Sequence, residues 1–234
     1  MKKVFSLLLL ILLVQFRAGA DEAKGELFFI DTDWKLKIDV EGFVLEKNIF
    51  DENNNYLEIF ATNDKSGLVL SVFFEKAHGQ DSSISCREYY VKNMNRMTTR
   101  SKETRYEKNG FAVYEYTIEE FNGITLNQRH FNLYASVKGT WIDVHVSKVN
   151  FQESDRKLID DFISRLAIID KNSYDFYLYG SYYFNNRKYP LAAKYYERAL
   201  KLENEKRSLG RDEYYVLIDS LGMAYGISGD YQNS

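Results

Sequence analysis

Between Ser173 and Leu202, apolar and small residues recur at the spacing of an α-helix, stop once, and resume. Phe176, Tyr179, Gly180 and Tyr183 lie three or four positions apart and so share one helix face. Ala192, Tyr196 and Ala199 continue the pattern on a second helix. Asn185 and Asn186 break the first helix, and Pro190, the single proline of 234 residues, falls in the first turn of the second, where its missing N–H costs least. A glycine inside a helix costs about 1 kcal/mol relative to alanine, so close approach of a neighbouring helix is the physical reason for Gly180. The stretch predicts an antiparallel helical hairpin.

These positions resemble the tetratricopeptide repeat family, whose first helix carries aromatic, apolar, small and aromatic residues where Phe176, Tyr179, Gly180 and Tyr183 stand. After the charged insertion from Glu203 to Arg211, Tyr179, Gly180, Tyr183 and Tyr189 recur as Leu221, Gly222, Tyr225 and Tyr231, each 42 residues on. The family's usual period is about 34. Gly229-Asp230-Tyr231 resembles the family's inter-helix turn, whereas Asn204 stands where many repeats carry proline. The resemblance implies all-α tetratricopeptide helical hairpins over residues 171–234, one complete and one truncated. They would pack through Phe176, Tyr179, Gly180, Tyr183, Tyr189, Ala192, Tyr196, Ala199, Leu221, Gly222 and Tyr225. It also implies a concave groove formed by Tyr174, Tyr177, Ser181 and Phe184, aromatic and neutral, without the lysine and asparagine clamp for a peptide carboxylate. Such a groove suits a protein segment offering apolar side chains; alternatively, these residues pack against a further helix. Each repeat buries its stripe against the next, so the stop at Ser234 implies a fragment of a longer repeat protein, or a last helix docked on a partner or a second copy.

At the other end, Lys2 and Lys3 precede an apolar run from Val4 to Val14, and Ala18-Gly19-Ala20 offers a small-x-small cleavage site. The run is well short of the roughly 20 residues that span a bilayer, so a secretory signal over residues 1–20 is expected, with no stable membrane anchor after cleavage. Removing it takes away three cations and no acid, which moves the formal charge from -3 to -6. Such a balance, without a basic stripe, argues against nucleic acid as a partner. The expected location is periplasmic or secreted.

Residues 21–170 read as one α+β domain. Trp34, Leu36, Ile38 and Val40 alternate with Lys35, Lys37, Asp39 and Glu41, which is the pattern of a half-buried strand. Strands are predicted over 43–50, 56–62 and 68–75, then a helix over 83–97 with Cys86, Tyr90, Met94 and Met97 on its apolar face. Strands over 111–121, 124–137 and 141–148 are joined by Asn122-Gly123 and Lys138-Gly139, two-residue hairpin signals. Two-residue turns set Leu133 opposite Ala112 and Val144, and Phe131 opposite Tyr114 and Val146. A capping box at Asn150 and Glu153 opens a last helix bearing Phe151, Leu158, Ile159, Phe162, Ile163 and Leu166. An antiparallel sheet with two helices follows. In element order, with Gly42-Phe43, the Gly110-led strand and the helix after Glu153-Ser154-Asp155, it resembles PsbP-like and DcrB-like domains, which implies an α/β/α sandwich used for binding.

Chemistry is sparsely signalled. The same register sets Glu115, His130, Asp143 and His145 on one sheet face with Asn132, a combination able to ligate a divalent metal if no bulge intervenes; the alternative is a plain polar face. Cys86 is the single cysteine, so no internal disulfide forms, and its place on an apolar face reads as packing. Ser154-Asp155-Arg156-Lys157 matches Ser-x-x-Lys by chance, without companion motifs, and no phosphate loop or Cys-x-x-Cys occurs. No cofactor is implied. The expected function is an exported protein-interaction scaffold with an accessory binding domain, against an envelope enzyme or metal-binding domain carrying an attached scaffold. N-terminal sequencing of the protein from its exporting host should find Asp21, or a residue near it, first; an intact Met1 in the cytosolic fraction would refute export.

Overall fold

The computed structural model describes residues 24–27, 32–51, 56–94 and 99–229. The expected export signal lies outside them, as do Met97, Asp230 and Tyr231. In order the elements are β1 (Lys24–Leu27), β2 (Trp34–Asp39), β3 (Val44–Asp51), β4 (Tyr56–Asn63), β5 (Leu68–Lys76), α1 (Ser83–Asn93), β6 (Ser101–Lys108) and β7 (Phe111–Phe121). They continue with β8 (Ile124–Val137), β9 (Thr140–Lys148), α2 (Arg156–Arg165), β10 (Ala167–Asp170), α3 (Ser173–Asn185), α4 (Tyr189–Lys206) and α5 (Arg211–Ser228). Two compact units result, one holding the described residues 24–27 and 36–167, the other 32–35 and 168–229.

The first unit is dominated by a seven-stranded antiparallel sheet of order β3-β4-β5-β9-β8-β7-β6; a smaller sheet has the order β1-β2-β10. Three successive two-residue turns make the β6 to β9 meander. Asn109-Gly110, Asn122-Gly123 and Lys138-Gly139 all place both residues at positive φ, from 50° to 79°, the geometry whose twist matches that of the flanking strands. Lys138 accepts it although lysine is not a residue that favours left-handed backbone. Strand β6, Ser-Lys-Glu-Thr-Arg-Tyr-Glu-Lys, has no apolar alternation and lies on the sheet edge, where lysine and glutamate discourage further pairing.

Between β7 and β8 the register departs from the simple hairpin at one place. Near the turn, Phe121 pairs with Ile124 and Glu120 with Thr125, but a bulge between Ile118 and Glu120 shifts everything beyond it by one residue. Leu133 therefore opposes Val113 rather than Ala112, and Phe131 opposes Glu115 rather than Tyr114. Across the other turn no shift occurs, and Leu133 meets Val144 as Phe131 meets Val146. One sheet face consequently presents Tyr114, Tyr116, Tyr134 and Trp141, which bury Cys86 of α1. The opposite face carries Phe131, against which Phe151 and the Arg156 guanidinium of α2 pack. Helix α2 turns Ile159, Phe162 and Ile163 inward. Its approach is capped two residues later than expected. The Gln152 N–H donates to the Asp155 carboxylate at 2.9 Å, while Asn150 takes a left-handed φ of 54° and its N–H reaches the Leu126 carbonyl.

The expectation of an α+β domain followed by an all-α array of tetratricopeptide hairpins is overturned. Strand dominates the chain, and the second unit is itself mixed, since residues of β2 and β10 belong with α3, α4 and α5. Lys35, on β2, is buried against the N-terminus of α3, with its Nζ 2.8 Å from Asp175. Asp175 also accepts the Asn172 N–H at 2.8 Å, and the Asn172 side chain accepts the Asp175 N–H at 3.0 Å. The Lys171 N–H bonds the Asp33 carbonyl, and the Lys171 ammonium sits 4.6 Å from the Tyr179 ring centroid. A 3.6-residue period says which side chains share a helix face; it does not say what faces them.

The 42-residue correspondence fails for the same reason. A Cβ on Gly180 would lie 2.3 Å from Tyr196 Cδ1, so α3 and α4 close on each other there. At Gly222 a Cβ would meet nothing within 4 Å. Tyr179 and Tyr183 are buried, whereas Leu221 and Tyr225 are half-exposed. Gly180→Ala should destabilise the protein by about 1–3 kcal/mol through overpacking. Gly222→Ala should gain up to about 1 kcal/mol from helix propensity alone. Denaturant melts of the two variants should therefore move in opposite directions, and a shared direction would refute the difference in packing.

Candidate functional site

The bulge separates the residues that a plain hairpin register brings together. His130, Asp143 and His145 share the α1 side of the sheet with Ser71, Asn132, Tyr134 and Tyr116, while Glu115 points to the α2 side. There the Glu115 carboxylate, 2% exposed, accepts from Arg129 Nε at 2.8 Å, Arg156 at 2.8 Å and the Tyr106 hydroxyl at 3.0 Å. A buried carboxylate held by two guanidiniums is compensated, and it ties α2 to the sheet.

On the α1 side a polar chain crosses three strands. Ser71 Oγ lies 3.3 Å from His145 Nδ1, and His145 Nε2 lies 2.9 Å from His130 Nδ1. The His130 ring stacks on Tyr116 at 4.7 Å. Asn132 donates to Asp143 at 3.4 Å. Among the described residues, His130 Nε2, Asn132 Oδ1, Tyr134 OH and Trp141 Nε1 are buried without a hydrogen-bond partner. Burial drives both imidazoles toward the neutral form, His130 down to about 3 with His145 adding to the effect, and His145 down to about 4. Burial pushes the Asp143 carboxyl the other way, up to about 7, with the Glu75 charge contributing and the Asn132 bond opposing. Cys86, beside them, is a packed thiol whose pKa burial raises far above its ordinary value.

The geometry limits what this chain can do. The two facing ring nitrogens hold one proton between them, so one ring donates and the other accepts. At 2.9 Å they leave no room for an ion, which needs about 2.0–2.1 Å to each nitrogen. Among the described residues no group of three or more histidine, cysteine, aspartate or glutamate side chains is arranged to hold a metal. The ligand set of Glu115, His130, Asp143 and His145 is thus not assembled. The Ser71 hydroxyl lies on a strand whose neighbours on both sides, β4 and β9, occupy the N–H groups in ladders, so no donors are spare for an oxyanion. Ser71 itself carried no signal in the sequence; its position two residues from apolar strand neighbours looks like any half-buried serine.

The four groove residues of α3 are half-buried and already engaged. Tyr174 stacks on Tyr177 at 6.0 Å, Tyr177 lies 5.8 Å from Tyr196, the Tyr196 hydroxyl donates to Ser181 at 3.2 Å, and Phe184 meets Tyr189 edge-on. Exposed apolar surface is concentrated instead on α5. Leu217, Ser220 and Ala224 face inward, while Val216, Met223 and Ile227 are 48%, 52% and 54% exposed. Those three positions fall at i, i+7 and i+11 and make one stripe, flanked by Tyr215. No described helix is long and apolar enough to cross a membrane.

No family model matches the chain, and no curated protein matches it. Among solved structures it is similar to cyanobacterial PsbP (CyanoP) from Synechocystis sp. PCC 6803, at 9% identity over 65% of this chain and 96% of that one, with a TM-score of 0.43. It is also similar to LpqN, involved in cell envelope biogenesis of Mycobacterium tuberculosis, at 10% identity over 62% and 90%, TM-score 0.36. A protein from Bacteroides thetaiotaomicron VPI-5482 follows at 6% identity over 82% and 75%, TM-score 0.37. A PsbP is thus among the structural neighbours at slight similarity, and the tetratricopeptide resemblance finds no family model.

Stability should respond to pH with two opposed limbs. Asp143 binds its proton more tightly folded than unfolded, so its contribution is intact below pH ~4 and is lost as pH rises toward about 7. The histidines bind theirs more weakly folded, so their contribution is intact above pH ~6.5 and is lost as pH falls toward about 4 and then about 3. Asp143→Asn should raise unfolding free energy at pH 8 by on the order of 2–4 kcal/mol and leave pH 4 little changed. His130→Phe, which keeps the stack on Tyr116, should flatten the acid limb. Denaturant melts across pH 4 to 8 measure both, and parallel profiles for parent and Asp143→Asn would refute the buried acid.

Proposed function

We propose that this protein is an exported protein-interaction scaffold, whose helical unit offers the outer face of α5 to a protein segment with apolar side chains and whose sheet unit is an accessory binding domain. The observation that carries the reading is the Val216, Met223 and Ile227 stripe. Three large apolar side chains, each about half exposed, line one side of an 18-residue helix that packs on α4 and buries Leu217, Ser220 and Ala224. Contiguous exposed apolar surface of this kind marks partner sites more often than scattered single residues do. Gly222 and Gly226 beside the stripe have open space at their Cβ positions, which lets another chain approach the helix backbone. The half-buried Tyr174, Tyr177, Ser181 and Phe184 of α3 belong to this reading as a secondary contact region. Export is supported by the Lys-Lys, apolar run and Ala-x-Ala order of residues 1–20.

A photo-crosslinking amino acid placed at Met223 or Ile227 in the exporting host should yield a discrete adduct with another protein. The same group at Lys157, exposed on α2, should not. Val216→Glu should abolish the adduct while changing stability by no more than about 0.5 kcal/mol, as an exposed substitution. Equal adducts from the α2 and α5 positions, or none from α5, would sink the assignment.

A further inference from the structure

A cleft of about 270 Å³ opens in the sheet unit beside α2, where the turn after β2 and the turn between β4 and β5 meet. Its floor is apolar, with Phe43, Leu68 and Phe162, the two rings 6.2 Å apart, and Leu158 at the mouth. Its walls are held in place before any ligand arrives. The buried Asn63 side chain bridges both turns, donating to the Glu41 carbonyl at 3.1 Å and accepting the Ser66 N–H at 3.0 Å. Gly42, at φ 72°, passes so close that a Cβ would lie 2.9 Å from Asn63 Nδ2. From behind, Lys148 donates to the Ser66 carbonyl at 2.7 Å. Asp39 accepts the Glu41 N–H at 3.0 Å and pairs with Arg165.

The lip carries charges of both signs that no described residue neutralises. The side chains of Lys65, Glu41 and Asp161 line the cleft and make no hydrogen bond or ion pair with a described residue, whereas Asp39 and Arg165 are spent on each other. We propose that this cleft binds a small hydrophobic zwitterion of the amino-acid class, with its side chain on Phe43 and Phe162, its ammonium toward Asp161 and Glu41, and its carboxylate toward Lys65. The volume favours that size, since pockets for drug-sized ligands run from about 300 to 1,000 Å³. A ligand charged at one end leaves the opposite lip charge unanswered, and a neutral apolar one leaves both. Binding in this cleft does not depend on the α5 surface.

The test titrates the full chain with L-phenylalanine, and in parallel with phenethylamine, which lacks the carboxylate, and 3-phenylpropionate, which lacks the ammonium. L-phenylalanine should saturate with a Kd of about 1 mM or tighter, and each one-ended analogue should bind about tenfold more weakly. Lys65 and Asp161 are both exposed, so Lys65→Ala and Asp161→Asn should leave the melting curve unchanged. Lys65→Ala should weaken L-phenylalanine and 3-phenylpropionate but not phenethylamine, and Asp161→Asn should weaken L-phenylalanine and phenethylamine but not 3-phenylpropionate. Absence of saturation by L-phenylalanine, equal affinity for all three probes, or indifference to both substitutions would each overturn the assignment.

Discussion

The pairing of β7 with β8 decides what each face of the large sheet carries. In an antiparallel pair successive side chains alternate between faces, so one inserted residue moves every later side chain to the other side. The bulge between Ile118 and Glu120 does this to the inner two-thirds of β7. It sends Tyr114 and Tyr116 to the side that buries Cys86, and Glu115 to the side where Arg129 and Arg156 meet it. With the unshifted register, Glu115 would lose its contacts with Arg129 and Arg156 on the α2 side. The two guanidiniums on the α2 side are therefore the energetic counterpart of the bulge.

The same alternation concentrates polar groups where solvent is excluded. Ser71, His130 and His145 satisfy one another in part, but Asp143 pairs with no cation among the described residues, and burial holds its proton up to about pH 7. A cluster of this kind sets the pH range over which the sheet unit is stable. Among the described residues its side chains are not arranged as a group of three or more metal ligands, and what the geometry shows is a set of buried groups whose proton occupancy is shifted by burial.

In the helical unit, a buried ion pair accompanies the apolar packing of Phe176, Tyr179, Tyr196 and Ala199. Lys35 and Asp175 are each buried, and Asp175 also closes the cap of α3, so an ion pair joins strand residues to the start of a helix. Further along, Gly180 allows the Tyr196 ring to lie against the α3 backbone. Helix α5 then covers α4 with Leu217 and Ala224 and leaves Val216, Met223 and Ile227 outward. The cleft beside α2 in the other unit and this stripe differ in character. One is a small, charged, prebuilt pocket, and the other a flat apolar ridge suited to a macromolecule.

Local pattern determined a good deal of this. The Asn-Gly and Lys-Gly turns placed two hairpins, alternation placed β2 to β5 and β7 to β9, and 3.6-residue spacing placed α1 to α4 and the close approach at Gly180. These features depend on neighbours in sequence, whose periods and turn geometries a single chain displays. Strand β6 was not legible, because an edge strand of lysine, glutamate and arginine buries no stripe. Nor was the Ile118 bulge, since an extra residue in a ladder is defined only by the partner strand. That one step split the expected Glu115, His130, Asp143 and His145 set. Tertiary structure alone decided that strand residues join α3, that Gly222 lacks the close neighbour Gly180 has, and that Lys65, Glu41 and Asp161 surround one cleft. Each is a meeting of residues distant in sequence, where packing and desolvation, not local preference, set the energy.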